Sequence, residues 1–342
     1  MKMAYPMTNL IFEGGGVKGI AYVGALQKLD EKGVLPNVKR VGGTSAGAIM
    51  ALLCGLNYSL SEIETILKGL DFNKFLDSSW GILRDAERLI KDFGWYKGDY
   101  FREWVGEIIK NKTGNSDATF EFVNGLAASQ GFKEMYFVGT NLSTRFSEVF
   151  SAEHTPRTCI ADAVRISMSI PLFFAAKRNV RDDVYVDGGL LDNYPVKLFD
   201  RQKYVAQYAT EPDYYKEHNE MLKKQGIEVS PYLYNQETLG FRLDSGREIA
   251  VFRDQAEPAH NKIDDFFSYA WGIVETITES QQNQHLHSDD WHRTIYIDTL
   301  GVKTTDFGLS DEKKNELVQS GAAGAQKYFE WYDQAQTVCN RP

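Results

Sequence analysis

The apolar positions change period several times along the chain, and each change marks an element. Leu10-Ile11-Phe12 is a short unbroken apolar run, the pattern of a strand at 8–12 buried on both faces. From Ile20 to Leu29 apolar residues recur at helical spacing, which predicts a helix over 17–33. A second strand follows at 38–42. The stretch from Ala48 to Leu56 is then apolar on every side, the mark of a buried helix over 46–57. Two βα units in succession predict parallel strands joined by right-handed crossovers. Further strands are read at Met135–Gly139, Ser147–Phe150, 184–187, Lys203–Tyr208 and Thr294–Ile297. Further helices are read at Ser61–Leu70, Trp80–Phe93, Thr158–Ser167, Lys262–Gln284 and Ser310–Tyr332, with Phe266, Phe267, Ala270, Ile273, Val274 and Ile277 as a buried face of the fourth. The predicted fold is α/β, a three-layer sandwich around a mostly parallel sheet.

Ligands of such sheets bind beyond the carboxyl ends of the strands, and three segments there carry chemistry. After the first strand come Gly14, Gly15, Gly16, Val17, Lys18 and Gly19. Bare backbone N–H groups at a helix start attract anions, either a phosphate or the oxyanion of an ester under attack. A phosphate loop requires Ser or Thr after its lysine, and Gly19 stands there. Gly14, Gly16 and Gly19 do satisfy a dinucleotide fingerprint, but Arg40 occupies the region where an acidic ribose ligand belongs. After the second strand, Gly43-Thr44-Ser45-Ala46-Gly47 reads as a sharp strand-to-helix turn with a serine at its apex. Much later, Val184-Tyr185-Val186 delivers Asp187 to Gly188 and Gly189. Alone, that aspartate reads as a turn cap. Beside the other two segments it reads as a base for the Ser45 proton.

These three blocks, in this order, resemble the signatures of patatin-like phospholipases. The resemblance covers roughly residues 8–200 and extends to Thr140-Asn141-Leu142, Ser167 to Phe174 and Asn193-Tyr194-Pro195. It implies a lipid acyl hydrolase with a Ser45–Asp187 dyad, an oxyanion hole of the Gly14, Gly15 and Gly16 amides joined by that of Ala46, and no metal or organic cofactor. The implied substrate is a phospholipid or lysophospholipid, with peripheral contact at a membrane surface. Two alternatives stay open: a carboxylesterase for other esters, and a lipid-binding protein whose basal activity is silent until a protein activator binds. Lys18 is expected to meet either lipid phosphate or a neighbouring carboxylate.

The competing mechanism is a Ser-His-Asp triad, for which His285, His287 and His292 have the required chain order. They fall in or beside a polar run, and the serine comes after only the second strand, too early for that fold. The 342 residues, 43% hydrophobic, suffice for a large core, and the absence of a linker or repeat predicts a single domain over 1–342. A net charge of −9 excludes a nucleic-acid partner and makes any membrane contact mainly apolar. Cys54, Cys159 and Cys339 read as reduced thiols. Met1–Thr8 leads straight into a strand, so a cytoplasmic location is expected, with leaderless secretion left open. Trp95, Tyr96, Tyr100, Phe101 and Trp104 read as core or lid, and Phe173 and Phe174 as core or acyl-pocket lining. The tyrosines of 204–234 read as surface.

Overall fold

The computed structural model describes residues 5–75, 93–244, 266–286 and 289–334, together with 257, 260, 262–264 and 340. In chain order its elements are β1 (Asn9–Phe12), α1 (Tyr22–Glu31), β2 (Arg40–Thr44), α2 (Ala46–Gly55), α3 (Leu60–Lys68), β3 (Gly94–Tyr96), α4 (Asp99–Thr113), α5 (Phe120–Gln130), β4 (Glu134–Asn141), β5 (Phe146–Ser151), α6 (Ile160–Ser167), β6 (Leu172–Phe174), β7 (Lys177–Arg178), β8 (Val184–Asp187), β9 (Ala209–Thr210), α7 (Asp213–Lys224), β10 (Tyr234–Asn235), β11 (Thr238–Asp244), α8 (Phe266–Leu286), β12 (Thr294–Asp298) and α9 (Asp311–Asp333). The helix expected at Trp80–Phe93 lies, but for Phe93, outside the described residues.

The main sheet runs β12-β11-β1-β2-β4-β8-β7, with β5 on the other edge of β4. The first five of these strands are mutually parallel, and β5, β7 and β8 are antiparallel to their neighbours. Strand periodicity divides the core. Leu10 and Phe12 face a large cluster built with α1, α2 and α9, whereas Ile11 faces a smaller one with Tyr136, Tyr194, Val196 and Phe199. Helix α2 bears no charged residue, and nine of its ten residues are buried.

Several elements depart from the sequence reading for physical reasons. The first five residues of the helix expected at 17–33 belong to a 3-10 turn, Gly16–Ala21, and regular α-helix begins at Tyr22. The cap of α3 is Ser59, which closes a capping box with Glu62, so the helix starts ahead of Ser61. Lys203–Tyr208 is not a strand. The consecutive amides of Ala206, Gln207 and Tyr208 all donate to the Glu237 carboxylate, which replaces a strand partner for them. The strand of this region is instead β11, paired with β1 and β12, and the residues beyond 200 thereby complete the same sheet. Tyr204, Tyr215 and Tyr234 are buried because their hydroxyls reach Glu153 (2.6 Å), Asp200 (2.7 Å) and the Asp289 carbonyl (2.9 Å). On α8, Ile273 and Ile277 are exposed rather than buried.

One buried ionic group ties this C-terminal part together. Arg293 donates to Asp200 at 2.8 Å and to Asp290 at 2.7 Å, and all three side chains are almost inaccessible to water. Removing the cation leaves two carboxylates without it in a low dielectric, a loss on the order of 3–5 kcal/mol. Arg293→Ala is therefore expected to lower the urea midpoint sharply, and an unchanged midpoint would contradict this account.

Candidate active site

Strand β4 brings the distant motifs together. Strand β2 runs alongside β4 as far as the Thr44–Val138 pair, where it stops. Strand β8 occupies the same edge of β4 from the opposite direction, ending at the Asp187–Gly139 pair. The two carboxyl ends thus meet one residue apart along β4. Ser45 leaves β2 at the point where Asp187 ends β8, because one strand is parallel to β4 and the other antiparallel. The sequence reading placed Asp187 at a strand end correctly but did not foresee this reversal.

Ser45 has φ 54° and ψ −124°, a conformation costly for a side chain with a Cβ, by about 1–3 kcal/mol. The surroundings hold it there. The Ser45 N–H donates to Ser167 Oγ at 3.0 Å, and Ser167 Oγ donates to the Val138 carbonyl at 2.6 Å. Glycine is required on both sides of the elbow: a Cβ on residue 43 would lie 2.4 Å from the Gly47 carbonyl oxygen, and one on residue 47 would lie 2.2 Å from that of Phe12. Ser45 is 6% exposed and Asp187 5%, so a reacting ester would be shielded from bulk water.

Asp187 Oδ1 accepts the Gly189 N–H at 2.7 Å, while Oδ2 has no hydrogen-bond partner among the described residues. Burial pushes this carboxyl up to about 7, and the Gly189 amide and nearby Ser45 hydroxyl only partly offset that. Ser45 Oγ lies 3.4 Å from Met168 Sδ and also near the Asp187 carboxylate, whose ionised form its hydroxyl favours, so the rotatable hydrogen has two acceptors within reach.

The glycine loop abuts the serine: a Cβ on residue 14 would come within 3.1 Å of Ser45 Cβ. The expectation that the Gly14 amide is a free oxyanion donor is corrected, because it donates to the Asn193 carbonyl at 3.0 Å. Asn193 Nδ2 in turn donates to the Gly14 carbonyl at 3.2 Å, so Asn193 clamps Gly14 from both sides. The amides of Gly15, Gly16 and Ala46 have no partner among the described residues. Gly16 adopts φ +56°, with the Thr304 carbonyl 2.2 Å from where its Cβ would be, and that carbonyl accepts the Val17 N–H at 3.2 Å. Gly19 packs against Ala46, and Gly188 against the Val138 carbonyl.

Lys18 is half-buried and acts on Glu13. Burial pushes the Glu13 carboxyl up to about 7, against which Arg242, the Leu243 amide and Lys18 all pull. Of the late histidines, His292 stacks on Trp291 at 3.5 Å and hydrogen-bonds the Asp289 carbonyl at 3.1 Å, while His287 lies outside the described residues. Phe101 packs with Phe75 and Trp104 in the core, and Tyr96 with Phe173. Asn193, Ser167, Met168 and Thr304 are the contributors that residue-type reasoning missed. Each meets the loop or the elbow across more than a hundred residues of sequence, which no local pattern encodes.

Residues 10–200 match the model of the patatin-like phospholipase family. The chain belongs to this family. Its relatives include an uncharacterized protein, YqhO, of Bacillus subtilis, 28% identical over 91% of this chain and 94% of that one. Protein R571 of Acanthamoeba polyphaga mimivirus, also uncharacterized, is 35% identical over 56% of this chain, which spans under two thirds (61%) of R571. The lysophospholipase NTE1 of Candida glabrata is 29% identical over 55% of this chain and 9% of its own length. The crystal structure of VipD from Legionella pneumophila shares the fold, with a TM-score of 0.60 at 19% identity over 95% of this chain and 67% of that one. Lipid hydrolysis is the chemistry of the class. Among the described residues, no helix is long and apolar enough to cross a membrane.

Proposed function

We propose that this protein is a serine acyl hydrolase of phospholipids or lysophospholipids working through a Ser45–Asp187 dyad. The observation that carries the reading is the meeting of β2 and β8 on β4, which sets an open carboxylate oxygen beside a strained serine. Ser45 Oγ attacks the ester carbonyl as its proton passes to Asp187, and the negative carbonyl oxygen is held by the amides of Gly15, Gly16 and Ala46. The carbon–oxygen ester bond breaks, and Asp187 returns the proton to the departing alcohol. Water then gives a proton to Asp187 and attacks the acyl-serine; the acyl–Oγ bond breaks as Asp187 returns that proton to Ser45 Oγ, which releases a fatty acid and restores both side chains. Asn193 is a positioning residue here, since it fixes the loop whose next two amides are left to donate.

With Met168 Sδ and the Asp187 carboxylate both near Ser45 Oγ, a turn about the Cβ–Oγ bond moves the hydroxyl hydrogen between a resting and a reactive acceptor. Lipid at a membrane surface, or a protein activator, would favour the turned state.

The test is product analysis by mass spectrometry on vesicles of a phosphatidylcholine with two different acyl chains, with and without cell extract. Free fatty acid and lysophosphatidylcholine are expected, with only one chain released first if the site is regioselective. Release of phosphocholine or choline with both acyl chains retained would overturn the reading.

A further inference from the structure

A narrow apolar cleft, open to solvent on one side, adjoins the glycine loop and elbow. Gly16 and Ala46, whose amides lack partners, contribute to its lining, so it borders the place where an ester carbonyl oxygen would sit. Ile49 and Met50 follow on α2, at one helical turn from Ala46, and Leu70 and Phe72 lie on the segment after α3. Val17, Ile20 and Leu67 add to the wall from inside the segment matched by the family model, and Phe307 and Leu309 close it from outside that segment. One cation, Lys314, lines the cleft, but its ammonium is held by the Lys68 carbonyl at 2.8 Å, so its stem is what it offers.

We infer that this cleft holds one unbranched acyl chain of the substrate and that Phe307 and Leu309, from the C-terminal segment, set the length it accepts. The inference rests on the acyl-hydrolase reading above. It assigns the chain a place different from the one the sequence suggested: neither Phe173 nor Phe174 lines this cleft. They belong to β6, which pairs with β3, and Phe173 packs behind Phe307 at 5.6 Å between ring centres.

The C-terminal wall is built to hold its shape. Phe307 stacks on Phe72 at 5.9 Å with their planes 11° apart, which joins the two sides of the cleft. The turn carrying Phe307 is fixed by the Lys303 amide on Asp306 at 2.8 Å and by the Phe307 amide on the Thr305 carbonyl at 2.8 Å. Earlier in that turn, the Thr304 carbonyl receives the Val17 N–H beside Gly16. The same short segment thus closes the apolar wall and braces the loop that would hold the carbonyl oxygen. Acyl length and carbonyl placement are read by one piece of chain, and differences in that piece would change chain preference while leaving the three motif blocks intact.

The test uses the full chain in two independent assays. A fatty acid bearing a diazirine near its methyl end is photolysed on the protein, and cross-links are mapped by mass spectrometry. Labelling within 46–50 or 302–314 is expected; labelling confined to other segments would overturn the inference. In the second assay kcat/KM is compared for hexadecanoyl and butanoyl esters. Leu309→Trp is expected to lower the long-to-short ratio about tenfold or more, and Phe307→Ala to raise the preference for the longer ester. Phe122→Ala, an exposed position on α5, is expected to leave the ratio as it is. Unchanged ratios in folded Leu309→Trp and Phe307→Ala proteins would sink the assignment. Photolabelling of Ser45→Ala separates the two readings. Labelled cleft residues with hydrolysis retained would refute the dyad alone, and hydrolysis lost with labelling elsewhere would refute the cleft alone.

Discussion

Ser45→Ala is expected to reduce ester hydrolysis by roughly 10⁴-fold or more, the scale of losing a nucleophile that acts as one unit with its base. The variant is expected to fold, for reasons visible at the elbow. The backbone N–H of residue 45 still reaches Ser167 Oγ, and the flanking glycines still permit the close crossing of β2 and α2. Alanine bears the same Cβ at φ 54°, so the backbone strain is unchanged. What is lost is a hydroxyl 3.4 Å from a thioether, a weak contact, and near the Asp187 carboxyl, which keeps the Gly189 N–H. Unfolding temperature is therefore expected to stay within a few degrees of wild type. An organophosphonate ester should label Ser45 in the wild type and nothing in the variant. A Ser45→Ala protein that kept a tenth of the activity would remove Ser45 from the mechanism.

Much of this site was legible in the sequence, and the boundary between what was and was not has a physical cause. Period-2 and period-3.6 patterns report burial of one segment, so β1, β2, α2 and the terminal helix α9 could be read from Leu10–Phe12, Val41, Ala48–Leu56 and the Ser310 cap. The special backbone demands at Gly16, Gly43 and Gly47 leave glycine as their trace, so the loop and elbow were readable too. Side chains that replace backbone partners leave no such trace. Glu237 takes three amides of 206–208, whereas β11 does carry a period-2 trace in Leu239, Phe241 and Leu243, which the sequence reading passed over. Strand direction was also hidden. Val184–Asp187 has the same apolar character whether it runs with β4 or against it, and only the reversal explains why its last residue meets Ser45.

The same limit applies to the correction at Gly14. Three consecutive glycines advertise three free amides, yet one is spent on Asn193, and that contact spans 179 residues of sequence. The exchange is physically reasonable: two hydrogen bonds on Gly14 restrain a segment with no side chains of its own, and the cost is one donor out of the four first expected. Tyr204, Tyr215 and Tyr234 teach the complementary lesson. A tyrosine in a charged stretch looks solvated, but a single acceptor for its hydroxyl lets the ring bury.

Asp187→Asn should produce a protein that is both less active and more stable, and the pair of effects is more diagnostic than either alone. The amide keeps an oxygen for the Gly189 N–H but cannot take a proton from Ser45, so hydrolysis is expected to fall by roughly 10³–10⁴-fold. The stability argument follows from burial, which raises the carboxyl from 3.8 in the unfolded chain to about 7 in the folded one. A carboxyl raised on folding holds its proton more tightly in the native state. Its stabilising contribution is complete below about pH 4 and is lost as pH climbs through about 7. At roughly 1.4 kcal/mol for each tenfold change in proton affinity, the ionised side chain costs up to about 4 kcal/mol at pH 8, and asparagine is spared that cost. Wild type and variant should therefore have similar urea midpoints near pH 4 and diverge in favour of the variant by pH 8. Activity runs the other way: kcat/KM of the wild type should rise with pH through about 7, as the carboxylate needed for proton transfer appears. Glu13 also titrates near 7 in a buried place beside the loop, so Glu13→Gln is the control, its oxygen still able to accept the Leu243 amide. If the rising limb survives in Glu13→Gln, it belongs to Asp187; if it vanishes there, or if Asp187→Asn gains no stability at pH 8, the assignment of Asp187 as a buried, open base fails.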